Sequence, residues 1–176
     1  LKIWLKKEIS LVLDADALNA VSRDPALRSQ LLARSARQQA TVITPHPLEA
    51  ARLLDTSTAM VQSDRLGAAR LLAQQLGCVV VLKGSGTIVA AIDQTPVINP
   101  TGHAALASGG TGDVLAGWLG GLWAQYPASS ELGASAWACA VAAVWQHGRG
   151  AEMLNAHAVR ALDLVDALRD LQPRPG

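Results

Sequence analysis

The amino-acid sequence predicts an α/β layered domain, with a largely parallel sheet carrying one hairpin and with helices on both faces. Three observations carry this. Short apolar runs rich in β-branched residues alternate with segments of helical periodicity. Two of those runs are separated only by Lys83-Gly84-Ser85-Gly86, a connection suited to antiparallel return. From Thr111 onward the pattern is helical.

Residues 9–13 form a short apolar run ending at Asp14, the pattern of a buried parallel strand that feeds a functional loop. Asp24-Pro25 opens a helix, since Asp caps and Pro fits the first helical turn, with Leu27, Leu31 and Leu32 on one face. Residues 41–44 are the next strand, stopped by Pro45-His46-Pro47 because neither proline can donate to a ladder. A helix over 48–54 follows. Ser63-Asp64 caps another, in which Leu66, Ala69, Ala73 and Leu76 recur at helical spacing until Gly77 ends it. Residues 78–82, with three consecutive valines, and residues 87–92 are paired strands, and Val97-Ile98 is a further short one. Val114, Leu115, Trp118, Leu119, Leu122 and Trp123 make a broad apolar helical stripe. Two more helices are expected, one from about Ser130 to Gln146 that stops near Gly148, the other over 158–171 before Pro173. The tryptophans fall at helical spacing and read as core.

With 176 residues, half of them hydrophobic, the chain can bury one continuous core. A formal charge of +1 with acids and bases interspersed provides no basic surface for a phosphate backbone, which argues against a nucleic-acid partner. Cys78 and Cys139 lie in apolar runs away from other ligand-type residues, so they read as reduced, buried thiols of a cytoplasmic protein. Residues 1–7 are amphipathic and basic without the apolar region of a signal peptide, and no uncharged run is long enough for a membrane span.

Gly109-Gly110-Thr111-Gly112-Asp113 stands directly before an amphipathic helix. Glycines let backbone N–H groups approach a ligand, and the helix dipole favours negative charge there, so this loop is a candidate anion hole for a phosphoryl group. Asp113 is placed to act as a base towards a hydroxyl or to hold a substrate; a capping carboxylate is the plainer reading. The loop lacks the Gly-Lys-Ser/Thr ending of a Walker A motif and the position of a Rossmann fingerprint. Lys83-Gly84-Ser85-Gly86-Thr87 leaves the end of a buried strand with a cation, hydroxyls and free backbone donors, against the alternative of a two-residue Ser-Gly hairpin turn beside a solvated lysine. His46, held between two prolines and followed by Glu49, is either a fixed ligand contact or a structural residue. Asp14, Asp16 and Asn19 cluster at another strand end, as magnesium or substrate contacts or as caps. No residue is assigned as a metal ligand, and His103, His147 and His157 show no metal spacing.

Taken in order, LVLDADALN at 11–19, TPHPLEAARLL at 44–54, VVLKGSGTIVA at 80–90 and ALASGGTGDVLAGWLGGL at 105–122 resemble the ADP/ATP-dependent NAD(P)H-hydrate dehydratases, within the ribokinase-like superfamily. The resemblance runs from about Val12 to the last helix. It implies a ribokinase-like fold and a hydro-lyase that uses ADP, or ATP, with Mg2+ to return the 6S hydrates of NADH and NADPH (NADHX and NADPHX) to the reduced cofactors, yielding AMP and phosphate from ADP. By position it makes Asp113 the catalytic and substrate-side carboxylate and His46 a substrate contact. Lys83, Gly84, Ser85, Gly86, Thr87 and Gly112 fall to the adenine nucleotide, and Gly109, Gly110 and Thr111 to the anion hole.

Two departures from the family pattern stand out. Family members usually carry Thr-Gly-Asn or a close variant before the glycine-rich loop, where this chain has Thr101-Gly102-His103. The family domain also has further βα units before the LDADALN strand. On that ground residues 1–176 are expected to be the C-terminal portion of one domain lacking its N-terminal strands, with an apolar sheet edge that favours a homo-oligomer. A fused or separate NAD(P)H-hydrate epimerase is an expected companion. Two other functions are compatible with the same residues: a ribokinase-like small-molecule kinase, and a non-catalytic fragment that binds a nucleotide.

Overall fold

A computed structural model of the chain describes residues 1–126 and 132–171. After a single helical turn, α1 (Lys2–Leu5), the chain alternates as expected: β1 (Leu11–Leu13), α2 (Asp16–Arg23), α3 (Pro25–Ala36), β2 (Thr41–Ile43), α4 (Pro47–Leu53), α5 (Thr58–Ser63), α6 (Arg65–Leu76) and β3 (Val79–Leu82). Strands β4 (Ile88–Ala90) and β5 (Val97–Ile98), a 3-10 turn (Ala104–Ala107) and three helices, α7 (Thr111–Trp123), α8 (Leu132–Leu154) and α9 (Ala161–Asp170), complete it.

The five strands lie in sequence order. β1, β2 and β3 are parallel, and β4 and β5 each pair antiparallel to the strand before. Side chains alternate between two cores, as a pleated strand requires. Ile43, Val80, Leu82, Ile88 and Ala90 face α1 to α6, while Val42, Val79, Val81 and Val89 face α7 and α8. Because both faces are covered, the strands read as continuous apolar runs. A third cluster joins Ala151 of α8, Val159, and Leu164 and Leu168 of α9.

Local chemistry sets most helix ends. Asp24 accepts from the Ala26 N–H with Pro25 in the first turn of α3, Asp64 accepts from the Gly67 N–H at the start of α6, and Gly77 ends α6 at φ 64°. Leu27 and Leu31 are buried, but Leu32 lies on the outer side of α3. Helices α2 and α5 were not anticipated: each is short, and their buried anchors are Leu18 and Val21 in α2 and Val61 in α5. Both cysteines are buried, and burial pushes the Cys78 thiol up to about 12. Of the tryptophans only Trp123 is fully core. Trp118 and Trp137 are half-buried, and Trp4 and Trp145 are exposed.

The largest difference from expectation is α8, which runs through Gly148 and Gly150 to Leu154 instead of stopping near Gly148. Gly148 serves close packing. A Cβ there would lie 2.3 Å from Thr101 Oγ1 and 2.7 Å from the Thr101 carbonyl carbon, so only glycine lets the 99–102 segment lie against the helix. The expected start at Ser130, and Pro173 beyond the last helix, lie outside the described residues.

A buried arginine fixes the entry to β1. Arg34 on α3 is fully shielded from solvent. It donates to Thr41 Oγ1 at 2.9 Å, the Lys7 carbonyl at 2.8 Å and the Ile9 carbonyl. Among the described residues no carboxylate is a hydrogen-bond partner of Arg34; carbonyl dipoles satisfy the charge. Replacing it with methionine strands those carbonyls, so Arg34→Met should lower the unfolding free energy in urea by about 2–4 kcal/mol. A loss below about 0.5 kcal/mol would show that water replaces the guanidinium without cost.

Candidate active site

The parallel strands all end on one edge of the sheet, where open α/β sheets gather ligands. The loops leaving that edge are bonded to one another. The Thr44 N–H donates to the Leu13 carbonyl at 3.1 Å, and the Lys83 N–H to the Pro45 carbonyl at 2.8 Å. Across the rim, Lys83 Nζ meets Asp14 Oδ1 at 2.8 Å, both groups being mostly shielded from solvent. Ala15, next to this carboxylate, sits at φ 47°, ψ −114°, a region that L-residues avoid.

Helix α7 points its N-terminus into the same place. Its N-cap, Gly110, has φ 85° and offers no side-chain cap, leaving first-turn N–H groups free to serve an anion. The Thr111 hydroxyl is committed to the Leu106 and Ser108 carbonyls, at 2.7 and 2.9 Å, so only its backbone can take part. A Cβ on Gly109 would meet nothing within 4 Å, so internal packing makes no demand for glycine there. A Cβ on Gly112 would stand 3.5 Å from Lys83 Nζ, which places the cation at the first turn of α7.

A cavity of about 550 Å3 opens beside this point. Lys83, Gly84, Ser85, Gly86 and Thr87 form one wall, Thr111, Gly112 and Leu115 another, and the 99–107 segment with Val144, His147 and Gly148 the rest. The pairing Leu82↔Ile88 leaves residues 83–87 outside the ladder, which overturns the two-residue Ser-Gly turn, and Lys83 is ion-paired instead of solvated. Gly84 at φ 140° and Gly86 at φ 63° shape this loop, and the Thr87 hydroxyl closes it on the Gly84 carbonyl at 2.9 Å.

The remaining expected residues do not line the cavity. Asp113 is exposed on the first turn of α7, next to Gly112, and Gly109 and Gly110 lead into that turn. His46 is the N-cap of α4. Its Nδ1 accepts from the Leu48 and Glu49 N–H groups at 3.1 and 3.3 Å, and the Glu49 carboxylate returns to the His46 N–H at 2.8 Å. The structural role foreseen for His46 is therefore present, and its half-exposed ring has Nε2 3.4 Å from Glu49 Oε1. Asn19 accepts from Arg52 at 2.7 Å, and Asp16 opens α2.

Three groups had no signal in the sequence. Arg65 binds the 83–87 loop from behind. Asn99 and Thr101 tie the cavity floor to α8, with Asn99 Nδ2 donating to the Thr101 carbonyl at 2.9 Å and Thr101 Oγ1 2.9 Å from the Trp145 carbonyl. His147 reaches from α8 to the Thr111 carbonyl, 2.8 Å from Nε2.

The family model described as NAD(P)H-hydrate dehydratase matches residues 1–173. The chain belongs to the NAD(P)H-hydrate dehydratase family. The ADP-dependent (S)-NAD(P)H-hydrate dehydratase of Neisseria meningitidis serogroup B is 43% identical over 155 residues, covering 88% of this chain and 49% of that protein. The ADP/ATP-dependent NAD(P)H-hydrate dehydratase of Bacillus subtilis, crystallised with ATP/Mg2+, superposes with a TM-score of 0.74 at 31% identity, over 94% of this chain and 55% of that one. A ribokinase-like superfamily protein of Enterococcus faecalis shares the fold at 24% identity, with a TM-score of 0.61 over 96% of this chain and 64% of that one. The chain thus spans about half the length of the meningococcal and Bacillus family members, and its fold is ribokinase-like. No helix among the described residues is long and apolar enough to cross a membrane.

Burial, reinforced by the Lys83 charge, holds the His147 imidazole below its ordinary 6.5, although the Thr111 carbonyl pulls it upward. The native ring stays neutral where the unfolded chain takes up a proton. The stability this confers is complete above about pH 6.5 and is lost as pH falls below it. The unfolding midpoint should therefore drop more steeply between about pH 7.5 and 5.5 in the wild type than in His147→Gln, which can still donate to Thr111. Parallel pH profiles would contradict a buried neutral histidine.

Proposed function

We propose that the protein carrying this chain dehydrates the 6S hydrates of NADH and NADPH at the expense of ADP, or of ATP, and so belongs to metabolite repair. One observation carries the reading: the 83–87 loop and the uncapped N-terminus of α7 converge on one cavity with Lys83 between them. Its size suits a nucleotide. The loop supplies backbone donors, Lys83 a point charge, and the first turn of α7 N–H groups for the terminal phosphate.

Hydroxide is a poor leaving group. Transfer of the terminal phosphoryl group to the hydrate hydroxyl forms a new O–P bond, and AMP departs when ADP is the donor. The lone pair of the ring nitrogen then expels phosphate, and loss of a proton from the neighbouring carbon restores the reduced ring. Asp113, exposed next to the anion hole, is assigned as the base that takes the hydroxyl proton, and His46 as a contact to the hydrate from the adjoining loop. The first-turn N–H groups of Thr111 and Gly112 would stabilise the charge that develops on the moving phosphoryl oxygens.

Among the described residues no group of three or more His, Cys, Asp and Glu side chains is placed to hold a metal. Magnesium carried on the nucleotide's phosphates needs only one or two protein carboxylates. Asp14 and Asp113 are the nearby candidates. When bound, the ion would neutralise phosphate charge.

Incubating the purified protein with NADH hydrate, ADP and Mg2+ should restore the reduced-nicotinamide absorbance. No recovery with ADP or ATP, together with formation of a phosphorylated alcohol from another substrate, would replace this reading by that of a small-molecule kinase. Asp113→Ala should lower kcat by about 100-fold or more while leaving the Kd for ADP within a few-fold of wild type. Equal loss of both would make Asp113 a structural cap.

A further inference from the structure

Arg65 lies outside every motif discussed above, in the first turn of α6, yet its contacts converge on the cavity wall. One guanidinium nitrogen, Nη1, donates to the Ser85 carbonyl. The other, Nη2, is 3.2 Å from the Leu82 carbonyl and 3.3 Å from that of Lys83. Gly84 makes this approach possible, since a Cβ at that position would sit 2.9 Å from Nη2.

Peptide geometry converts those contacts into a function. No peptide bond in the described chain is cis, and in a trans peptide the carbonyl of one residue and the N–H of the next point in opposite directions. Holding the Lys83 carbonyl on Arg65 turns the Gly84 N–H away from the guanidinium. Holding the Ser85 carbonyl does the same for the Gly86 N–H. Gly84 and Gly86 both line the cavity, and neither N–H has an acceptor among the described residues. The guanidinium has carbonyls and no carboxylate as partners among the described residues, so it keeps a net positive charge behind a wall that would face phosphates.

We propose that Arg65 is a positioning residue for nucleotide recognition: by gathering three carbonyls of the 82–85 segment it presents the Gly84 and Gly86 N–H groups to an adenine nucleotide's phosphate and ribose oxygens. This rests on the reading of the cavity as the nucleotide site. It assigns to α6, an element without any residue lining the cavity, control over the affinity for one of the two substrates.

The test compares wild type, Arg65→Ala and Arg65→Lys in the whole protein. Three quantities are measured: calorimetric Kd for ADP, separate KM values for ADP and hydrate with kcat, and hydrogen exchange of the 84–86 amides without ligand. Arg65→Ala should weaken ADP binding by roughly tenfold or more, the scale of lost charge-assisted hydrogen bonds, with the hydrate KM within about twofold. Exchange at Gly84 and Gly86 should rise. Arg65→Lys, which keeps the charge and fewer donors, should recover part of both. If Arg65→Ala fails to fold, Arg65→Lys alone decides, with weaker ADP binding at unchanged hydrate KM as the supporting result. Unchanged ADP affinity in a folded variant, or equal loss for both substrates, overturns the assignment to Arg65. Wild type that binds no adenine nucleotide instead overturns the reading of the cavity itself.

Discussion

The site depends on the bonded rim at the carboxyl ends of the strands. Parallel pairing brings the ends of β1, β2 and β3 to one edge, and the rim then links the loops that leave it: Leu13 to Thr44, Pro45 to Lys83, and Asp14 to Lys83. Each loop is thereby positioned by its neighbour, so side chains far apart in sequence meet without any one loop being rigid alone. The two covered faces of the sheet supply the stability that lets this edge carry a strained Ala15, open glycines and an uncapped helix.

Charge is arranged unevenly around that edge. The whole chain is nearly neutral, with a formal charge of +1. Locally, Lys83 stands at the N-terminus of α7, where the helix end is itself positive, and Arg65 backs the adjoining loop. Asp14 offsets Lys83 across the rim. On the proposed reading, a phosphate at the first turn of α7 would compete with Asp14 for the ammonium. His147 contributes an opposite kind of control, a neutral ring that fills the cavity wall without adding charge.

How much of this was legible follows from the range of each interaction. The strands were visible because burial on both faces makes their apolar runs continuous, as in the three valines of β3. Helix starts at Asp24 and Asp64 were visible because a cap acts within three residues. The glycine loop before α7 and the Lys83 loop were visible for the same reason, and the structure adds that they share one cavity. Interactions spanning long sequence separations were not. Gly148 resembles a helix stop until Thr101 is seen lying against it. Arg34 and Arg65 look like surface cations on amphipathic helices, because nothing local shows that their side chains reach carbonyls 25 and 20 residues away. His46 carried two readings, and the structure shows the capping role while leaving the ring half-exposed.

The central claim is that an adenine nucleotide occupies the cavity between the 83–87 loop and α7 with its terminal phosphate at the helix N-terminus. A crystal structure of the whole protein with ADP and Mg2+ tests it most directly. The terminal phosphate should lie within hydrogen-bond distance of the first-turn N–H groups of α7, with Lys83 turned from Asp14 towards it and ribose or phosphate oxygens on the Gly84 and Gly86 N–H groups. A nucleotide bound elsewhere, with this cavity empty and the Lys83–Asp14 pair intact, would contradict it.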